Sequence, residues 1–394
     1  MVDSADACAR IFGRFGIAGL ALGLVACGGG SDGPERAADA GSCTTLKPGG
    51  VVTLDADVQV LASHGVPSSG PGSLTHSVVA SGGEVYWYDS SGSIFVERQD
   101  QQVVELRHVE RSPRDPESAL GLTANSEHLY VGYASGGYDD VGFPAYKSPG
   151  HLLAISKQDG QVTSLLEYEQ GWLTPITAND ERVIVFAMGS PEMGFYQVPL
   201  DHPRLEALPL GTSDGSIGSD HEILELWELF ESGQLVEDQV YWMNTQSPPY
   251  GRLRSRFDDA EPELLTPLPW EISFSAGPDY LLTAEYAVDS DKYRVGLDFL
   301  LTDDAGCRAV RGPRGEGLVA VALDAKYAYW SGYRASEADA TLRQTLNRVS
   351  VETGAVERLN APGVTPESSL RFVAQDDTHL FLWNSGALLS LRKP

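Results

Sequence analysis

The sequence predicts an all-β fold, a β-propeller of seven blades, with six or eight blades as the alternatives. Three observations predict it: a strand-rich unit recurs along the chain, no helical periodicity interrupts the clearest copy, and the incomplete last unit is matched by a solitary strand near the start. Repeats of about 40 to 55 residues with four strands each are typical of propeller blades.

The clearest unit lies at residues 318–359 and contains four predicted strands. Its first strand is apolar and rich in β-branched residues, its second is aromatic, and its third alternates apolar with polar residues. The tight turn before the fourth strand contains Gly354, which can adopt a positive φ. The strands are predicted at 318–323, 327–330, 346–351 and 355–359.

Weaker copies of this unit run through the rest of the chain. The shortest interval between equivalent positions, from Tyr241 to Leu282, is 41 residues, and the longest, from Val185 to Tyr241, is 56 residues. In the fourth unit, residues 222–230 fit either a short helix or the innermost strand. The second strands are predicted to contain Tyr86, Tyr130, Val185, Tyr241, Leu282, Tyr329 and Leu382.

The two ends of the predicted propeller complement each other. The final unit has only three strands, at 371–374, 379–383 and 387–391. Val58–Leu61 is a short strand with no hairpin partner nearby. Because its insertion into the final unit would close the ring and remove an exposed sheet edge, we expect this strand to join the last blade.

Pairs of tyrosine and tryptophan mark several second strands. They lie at Tyr86-Trp87, Tyr241-Trp242 and Tyr329-Trp330, with a degenerate form at Leu382-Trp383. This repeat resembles that of the YWTD and TolB-like propellers, and of lipid-anchored bacterial propellers of unassigned function. The resemblance implies the fold of residues 56–394 and no particular activity, because function on a propeller depends on its loops. The rings themselves are expected to fill the space between blades.

The N-terminus combines positive charge at Arg10 and Arg14 with an apolar run at 17–25, a small residue before Cys27, and a glycine-rich stretch. This order resembles the signal of bacterial lipoproteins. The resemblance implies cleavage after residue 26 and acylation of Cys27, with palmitate among the acyl groups. An ordinary cleaved signal peptide is the alternative.

The predicted organisation is a signal peptide (1–26), a Gly/Ser-rich tether (27–50) and the propeller (51–394). Gly28 after the acylated cysteine implies, by the same resemblance, attachment to the outer membrane with a periplasmic or surface-exposed propeller. Contact with the membrane is expected through the lipid anchor only, since the apolar run at 17–25 is too short to span a bilayer.

The chain contains 4 cysteines, of which Cys8 leaves with the signal peptide and Cys27 is the expected lipidation site. Cys43 and Cys307 remain, and in an oxidising periplasm we expect them to form a disulfide. A bridge that closes so long a loop is expected to stabilise the fold by about 4–5 kcal/mol before strain. Two unpaired thiols are the alternative.

The composition limits the partners. The 394-residue chain has a formal net charge of −27. This argues against nucleic acid as a partner, because binding to phosphates depends on a basic patch. The acidity itself favours solubility. We expect a monomer.

Connections between second and third strands and between blades are predicted to be long, and they share one face of a propeller. Long loops that converge on one face are disproportionately functional. The predicted long loops are 132–150, 210–221, 243–251, 286–293 and 331–344. The first interleaves aromatic residues with carboxylates, which suits contact with a glycan or a protein, although rings packed under their own loop would have the same sequence. Its candidate binding residues are Tyr138, Asp139, Asp140, Phe143 and Tyr146.

Three further candidates, His76, Glu271 and Arg371, lie at predicted starts of innermost strands, beside the central channel. No nucleophile elbow, phosphate-binding loop or metal-ligand spacing is present, so no catalytic residue, metal or cofactor is predicted. Calcium is the alternative, although no ligand spacing matches a defined site. Its candidate ligands are Asp214, Asp220, Asp289 and Asp291.

These observations predict a binding or scaffolding module that recognises an envelope protein or a glycan through its long-loop face. A propeller enzyme, a lyase or hydrolase acting on glycans in the central funnel, is the alternative. A subunit of an envelope assembly is a third hypothesis, which requires a broad exposed apolar face.

Overall fold

The computed structural model describes part of the chain, and all of the described residues belong to the unit Ala38–Pro394. They are residues 44–46, 51–67, 76–98, 102–108, 118–134, 149–169, 171–189, 193–210, 229, 233–244, 251–259, 261–267, 271–276, 281–288, 295–303, 306–311, 316–335, 342–360 and 370–394. Within these ranges the chain forms strands β1 to β30, which assemble into seven sheets. The all-β prediction is confirmed.

Three strands precede the first repeated sheet: β1 (Thr44–Leu46), β2 (Val52–Asp55) and β3 (Val58–Ala62). The next four sheets follow one another along the chain. Sheet 1 is β4 (Val78–Ser81), β5 (Glu84–Tyr88), β6 (Ile94–Glu97) and β7 (Val103–Arg107). Sheet 2 is β8 (Ser118–Ala124), β9 (His128–Ala134), β10 (Gly150–Ser156) and β11 (Val162–Tyr168). Sheet 3 is β12 (Gly171–Ala178), β13 (Arg182–Gly189), β14 (Met193–Pro199) and β15 (Glu206–Ala207).

The remaining sheets repeat this antiparallel order. Sheet 4 is β16 (Gln234–Val236), β17 (Gln239–Asn244), β18 (Gly251–Arg256) and β19 (Glu263–Pro267). Sheet 5 is β20 (Glu271–Ala276), β21 (Leu281–Val288), β22 (Val295–Asp303) and β23 (Gly306–Arg311), with β1 added. Sheet 6 is β24 (Glu316–Leu323), β25 (Tyr327–Ala335), β26 (Leu342–Ser350) and β27 (Val356–Asn360), with β2 added. Sheet 7 is β28 (Leu370–Gln375), β29 (His379–Asn384), β30 (Ala387–Arg392) and β3.

Successive sheets lie side by side. The innermost strands of neighbouring sheets contact one another: β4 contacts β8, and β8 contacts β12. In the same way β16 contacts β20, β20 contacts β24, β24 contacts β28, and β28 contacts β4. Sheets 3 and 4 are joined by an apolar cluster that includes Phe186, Trp242 and Phe257. A cyclic succession of small antiparallel sheets defines a propeller. The fold is a β-propeller.

The repeat predicted from the sequence corresponds to these sheets. The seven marker residues, from Tyr86 on β5 to Leu382 on β29, each lie on the second strand of a different sheet. The innermost described strand of sheet 4 is β16; of residues 222–230, for which a helix and a strand are the alternatives, only Leu229 lies among the described residues. Part of the predicted loop 331–344 is also strand, because β25 and β26 extend into it from both sides.

The N-terminal strand closes the ring as the sequence predicts. Val58 pairs with Leu391 and Val60 with Leu389, in an antiparallel register that makes β3 the outer strand of sheet 7. Two further pairings are not evident from the sequence. Thr44 on β1 pairs in parallel with Arg308, and Val52 on β2 pairs in parallel with Glu357. The segment 44–62 therefore adds a strand to three successive sheets, and its pairing begins within the residues predicted as tether.

The tyrosine–tryptophan pairs fill the space between sheets. Tyr86, Trp87, Tyr329 and Trp330 are each at most 2% exposed. Tyr86 belongs to the apolar cluster between sheets 1 and 2, and Tyr329 to the cluster between sheets 6 and 7. The expected role in the core is confirmed for these four rings. Burial of such large rings is a major source of the free energy of folding.

A turn that recurs in several sheets also binds the buried tyrosine of sheet 6. Asp324 Oδ1 accepts hydrogen bonds from the backbone N–H groups of Lys326 and Tyr327, both at 2.8 Å, just before the second strand. The hydroxyl of Tyr329 then donates to Asp324 Oδ2 at 3.1 Å. Asn125, Asn179 and Asp376 make the same turn in sheets 2, 3 and 7. In sheets 2 and 6 the turn residue binds backbone N–H groups and also hydrogen-bonds to the buried tyrosine hydroxyl.

Candidate functional site

The five candidate residues of the first long loop, Tyr138, Asp139, Asp140, Phe143 and Tyr146, lie outside the described residues. The connection that contains them runs from the end of β9 at Ala134 to the start of β10 at Gly150. It therefore joins a second strand to a third strand, as predicted. We refer to the face that carries these connections as the long-loop face and to the opposite face as the short-turn face.

His76 lies two residues before β4, the innermost strand of sheet 1. Its carbonyl accepts a hydrogen bond from the N–H of Leu122 at 2.8 Å, which links sheets 1 and 2. Burial lowers the pKa of His76 to about 4. The imidazole is therefore neutral at neutral pH, and one of its ring nitrogens can accept a proton or a hydrogen bond.

The two other channel candidates occupy equivalent positions in different sheets. Arg371 is the second residue of β28, and its guanidinium carbon lies 5.8 Å from the ring centroid of Trp383. Glu271 is the first residue of β20. The structure thus places all three candidates at the same end of innermost strands, in sheets 1, 5 and 7. It adds a stacking partner for Arg371.

A groove that the sequence did not predict lies between sheets 3 and 4. It encloses about 240 Å³. Its lining comes from the turns between β12 and β13, β16 and β17, and β18 and β19, so the groove opens on the short-turn face. The apolar side chains of Ile184 and Phe257 are buried, at 5% and 3% exposure. The remaining lining residues are Thr177, Ala178, Asn179, Arg182, Leu235, Glu237, Asp238, Arg256 and Asp258.

Two ion pairs stand at the rim of this groove. Arg182 Nη2 lies 3.2 Å from Asp258 Oδ2, and its Nη1 donates to Gln197 Oε1 at 2.6 Å. Arg256 Nε lies 3.0 Å from Asp238 Oδ2. Within the described ranges, the carboxylate of Glu237 has no such cationic partner. The positive charges of Arg182 and Arg256 are therefore each paired with a carboxylate, whereas the negative charge of Glu237 has no paired cation among the described residues.

Elsewhere on the short-turn face, basic side chains connect neighbouring sheets. Lys393 Nζ, after β30, lies 2.8 Å from Asp324 Oδ2 of sheet 6. Lys157 Nζ, after β10, donates to Ser81 Oγ of sheet 1 at 2.9 Å, and burial lowers the pKa of this amine. Burial opposes ionisation of Asp324, but hydrogen bonds from Lys393 and from the backbone of Lys326 hold its pKa below the usual value. These contacts tie the turns together.

Several predictions concern residues that lie beyond the described ranges. Among them are the signal peptide at 1–26, Cys27, Cys43 and the candidate calcium ligands Asp214, Asp220, Asp289 and Asp291. Within the described part of the chain, no group of three or more His, Cys, Asp or Glu side chains is placed to hold a metal ion. The same part contains no helix with the length and apolar character needed to cross a membrane.

No family model and no curated protein matches the sequence. In structure, the chain is similar to the GH74 xyloglucanase from Xanthomonas campestris, with TM-score 0.46, 12% identity, and 84% of this chain and 53% of that chain covered. It is also similar to the β-propeller domain of the Trilobed protease from Pyrococcus furiosus, with TM-score 0.43, 9% identity, and 79% of this chain and 95% of that chain covered. A third similar structure is an oligogalacturonate lyase in complex with manganese, with TM-score 0.32, 11% identity, and 81% of this chain and 76% of that chain covered. At these values the likeness concerns the fold and carries no activity over to this chain.

Proposed function

We propose that this chain is a binding or scaffolding module of the bacterial envelope, a seven-bladed propeller that recognises an envelope protein or a glycan through its long-loop face. The observation that carries the proposal is the asymmetry of the connections. First-to-second turns are as short as residues 82–83 in sheet 1, whereas residues 135–149 separate β9 from β10 and residues 208–233 separate β15 from β16. A rigid scaffold with long loops on one face is the usual arrangement for recognition.

The chemistry of the two faces supports the same assignment. On the short-turn face, turn carboxylates and amides are used by backbone N–H groups, as at Asp324 and Asp376, and Lys393 is used in an ion pair between sheets. These groups serve the fold. The sequence of residues 135–149 contains aromatic and acidic residues, and aromatic rings are enriched at the centres of binding interfaces.

The proposal includes a lipid anchor on Cys27 at the outer membrane, after removal of residues 1–26. Intact-mass analysis of the mature protein tests it, because diacylation and acylation of the new N-terminus add mass that an ordinary cleaved signal peptide does not. The Cys27→Ala variant, fractionated from its own cells, is expected to leave the membrane pellet. Retention of that variant in the pellet, or an unmodified mature N-terminus, would contradict the anchor.

We also propose the Cys43–Cys307 disulfide. The residues that follow the two cysteines, Thr44 and Arg308, are parallel-strand partners. Neighbouring strands lie about 4.8 Å apart, within the Cα separations of about 4.4–6.8 Å that disulfides allow. Peptide mapping without reduction is expected to recover the linked pair. Alkylation of both thiols in protein purified from the periplasm would contradict it.

Recognition through the long-loop face is tested with a triple variant, Tyr138→Ala with Phe143→Ala and Tyr146→Ala. The matched control replaces the exposed valines Val103 and Val104 of the outer strand β7 by threonine. Both proteins are titrated against cell-wall glycan fragments and cross-linked in envelope membranes. We expect binding to be lost in the triple variant and kept in the control. Equal binding by both variants would refute the assignment of this face.

A glycan lyase or hydrolase in the central funnel is the second candidate, and His76 favours it. Its position before an innermost strand places it beside the central channel, and its imidazole is neutral at neutral pH, although a pKa of about 4 makes it a weak base. Incubation with acidic and neutral oligosaccharides, with His76→Gln as the paired variant, separates the candidates. Turnover that disappears in His76→Gln supports the enzyme, whereas absence of turnover with binding intact supports the recognition module.

A further inference from the structure

The groove lies between sheets 3 and 4, whose innermost strands differ in length. Strand β16 of sheet 4 has 3 residues, whereas β12 of sheet 3 has 8. The lining includes Thr177 and Ala178 at the end of β12 and the buried ring of Phe257. Pockets for whole small ligands are about 300–1,000 Å³, so a groove of about 240 Å³ suits a single long side chain.

The lining selects the charge of that side chain. It contains two arginines and three carboxylates, which leaves one negative charge in excess. Each arginine already has a carboxylate partner, at 3.2 Å for Arg182 and 3.0 Å for Arg256. An anionic ligand would have to displace Asp258 or Asp238, whereas a cation meets a carboxylate that no described cation neutralises.

The carboxylate in question is that of Glu237. It stands in the two-residue turn between β16 and β17 with a φ of 55°, a conformation that favours glycine. The apolar floor of the groove, formed by Ile184, Leu235 and Phe257, matches the methylene stem of a lysine or arginine, whose charged end then reaches the rim. The net charge of −27 attracts basic partners over longer distances.

From this geometry we propose a second binding site, distinct from the long-loop face, in which a lysine or arginine side chain of a partner polypeptide inserts between sheets 3 and 4 and pairs with Glu237. The site is independent of the proposed function, since it lies on the opposite face. A basic partner held there would leave the long loops accessible to their own ligand.

The experiment uses the full chain with labelled isoleucine and leucine methyl groups, because Ile184 and Leu235 report from inside the groove. Two probes are titrated, the peptides acetyl-Ala-Ala-Lys-Ala-Ala-amide and acetyl-Ala-Ala-Glu-Ala-Ala-amide. We expect the lysine peptide to shift both methyl signals in a saturable way and the glutamate peptide to leave them unchanged. Equal shifts with the two peptides, or none with either, would overturn the proposal.

Variants of Glu237 identify the acceptor. Glu237→Gln is expected to weaken lysine-peptide binding about threefold, the range of exposed ion pairs. Glu237→Gly, which suits the positive φ and protects the turn, is expected to weaken it to the same extent, while Glu352→Gln on a distant turn leaves it unchanged. Unaltered binding by both Glu237 variants contradicts the assignment. A third probe, n-butylamine, binding as tightly as the peptide would show that a small amine, and no polypeptide, is the ligand.

Discussion

Ring closure by β3 makes a sharp prediction about two adjacent residues. Leu61 is buried at 8% exposure in a cluster with Val78, Trp87 and Leu388, whereas Val60 beside it on the same strand is 57% exposed. Replacing a buried leucine by alanine removes its transfer free energy and leaves a cavity. We expect Leu61→Ala to lower the free energy of unfolding by about 3 kcal/mol. Val60→Thr, which keeps the β-branch, should change it by less than about 0.5 kcal/mol.

The assay is equilibrium unfolding in urea, followed by tryptophan fluorescence because Trp87 lies in the affected cluster. A lower midpoint at unchanged slope is the expected signature of Leu61→Ala. Exchange of the amide hydrogens of β30 should accelerate in the same variant, since β30 pairs with β3. If the two variants had equal midpoints, the placement of Leu61 between the first and last sheets would be refuted.

Two further predictions concern turns. The pKa of the Asp324 carboxyl is lower in the folded protein than in the unfolded chain. The contact between Asp324 and Lys393 therefore stabilises the fold above about pH 4, and this stabilisation is lost as the pH falls through the folded-state pKa. The urea midpoints of wild type and Asp324→Asn should therefore differ at pH 6 and converge below about pH 4; a pH-independent difference would contradict this. Gly354→Ala and Gly82→Ala share the strain of a positive φ, but only at Gly354 would the new Cβ lie 2.6 Å from Leu46. Measured by urea unfolding, Gly354→Ala should lower the free energy of unfolding by at least about 1 kcal/mol more than Gly82→Ala does. Equal losses in the two variants would argue against the packing of β1 on the turn at Gly354.

Local patterns were sufficient to predict the repeat. The aromatic second strands pack between sheets wherever they occur, so Tyr86 and Tyr329 mark equivalent strands despite different neighbours. The turn that precedes Tyr329 is also local, since Asp324 binds backbone groups within three residues. Closure was predictable because Val58–Leu61 is a predicted strand with no hairpin partner nearby and the last unit has only three predicted strands of its own.

Features that depend on distant segments could not be read in the same way. Strands β1 and β2 are three and four residues long, without a hairpin, and their partners are supplied by sheets 5 and 6 more than 250 residues later. The groove is a gap between two sheets, and its only local signal is the short β16 with the consecutive carboxylates Glu237 and Asp238. Long loops drew attention to the opposite face, so this site was missed.

The central claim is that the N-terminal strand completes the last sheet, and an engineered cross-link tests it most directly. Gln59 and Ser390 are register partners across β3 and β30, within disulfide reach. The double variant Gln59→Cys with Ser390→Cys is expected to form an intramolecular disulfide under mild oxidation, recovered as one linked peptide. The pair Gln59→Cys with Arg392→Cys, offset by two residues, should not. Linkage in the offset pair, or in neither, would contradict the register and with it the closed ring.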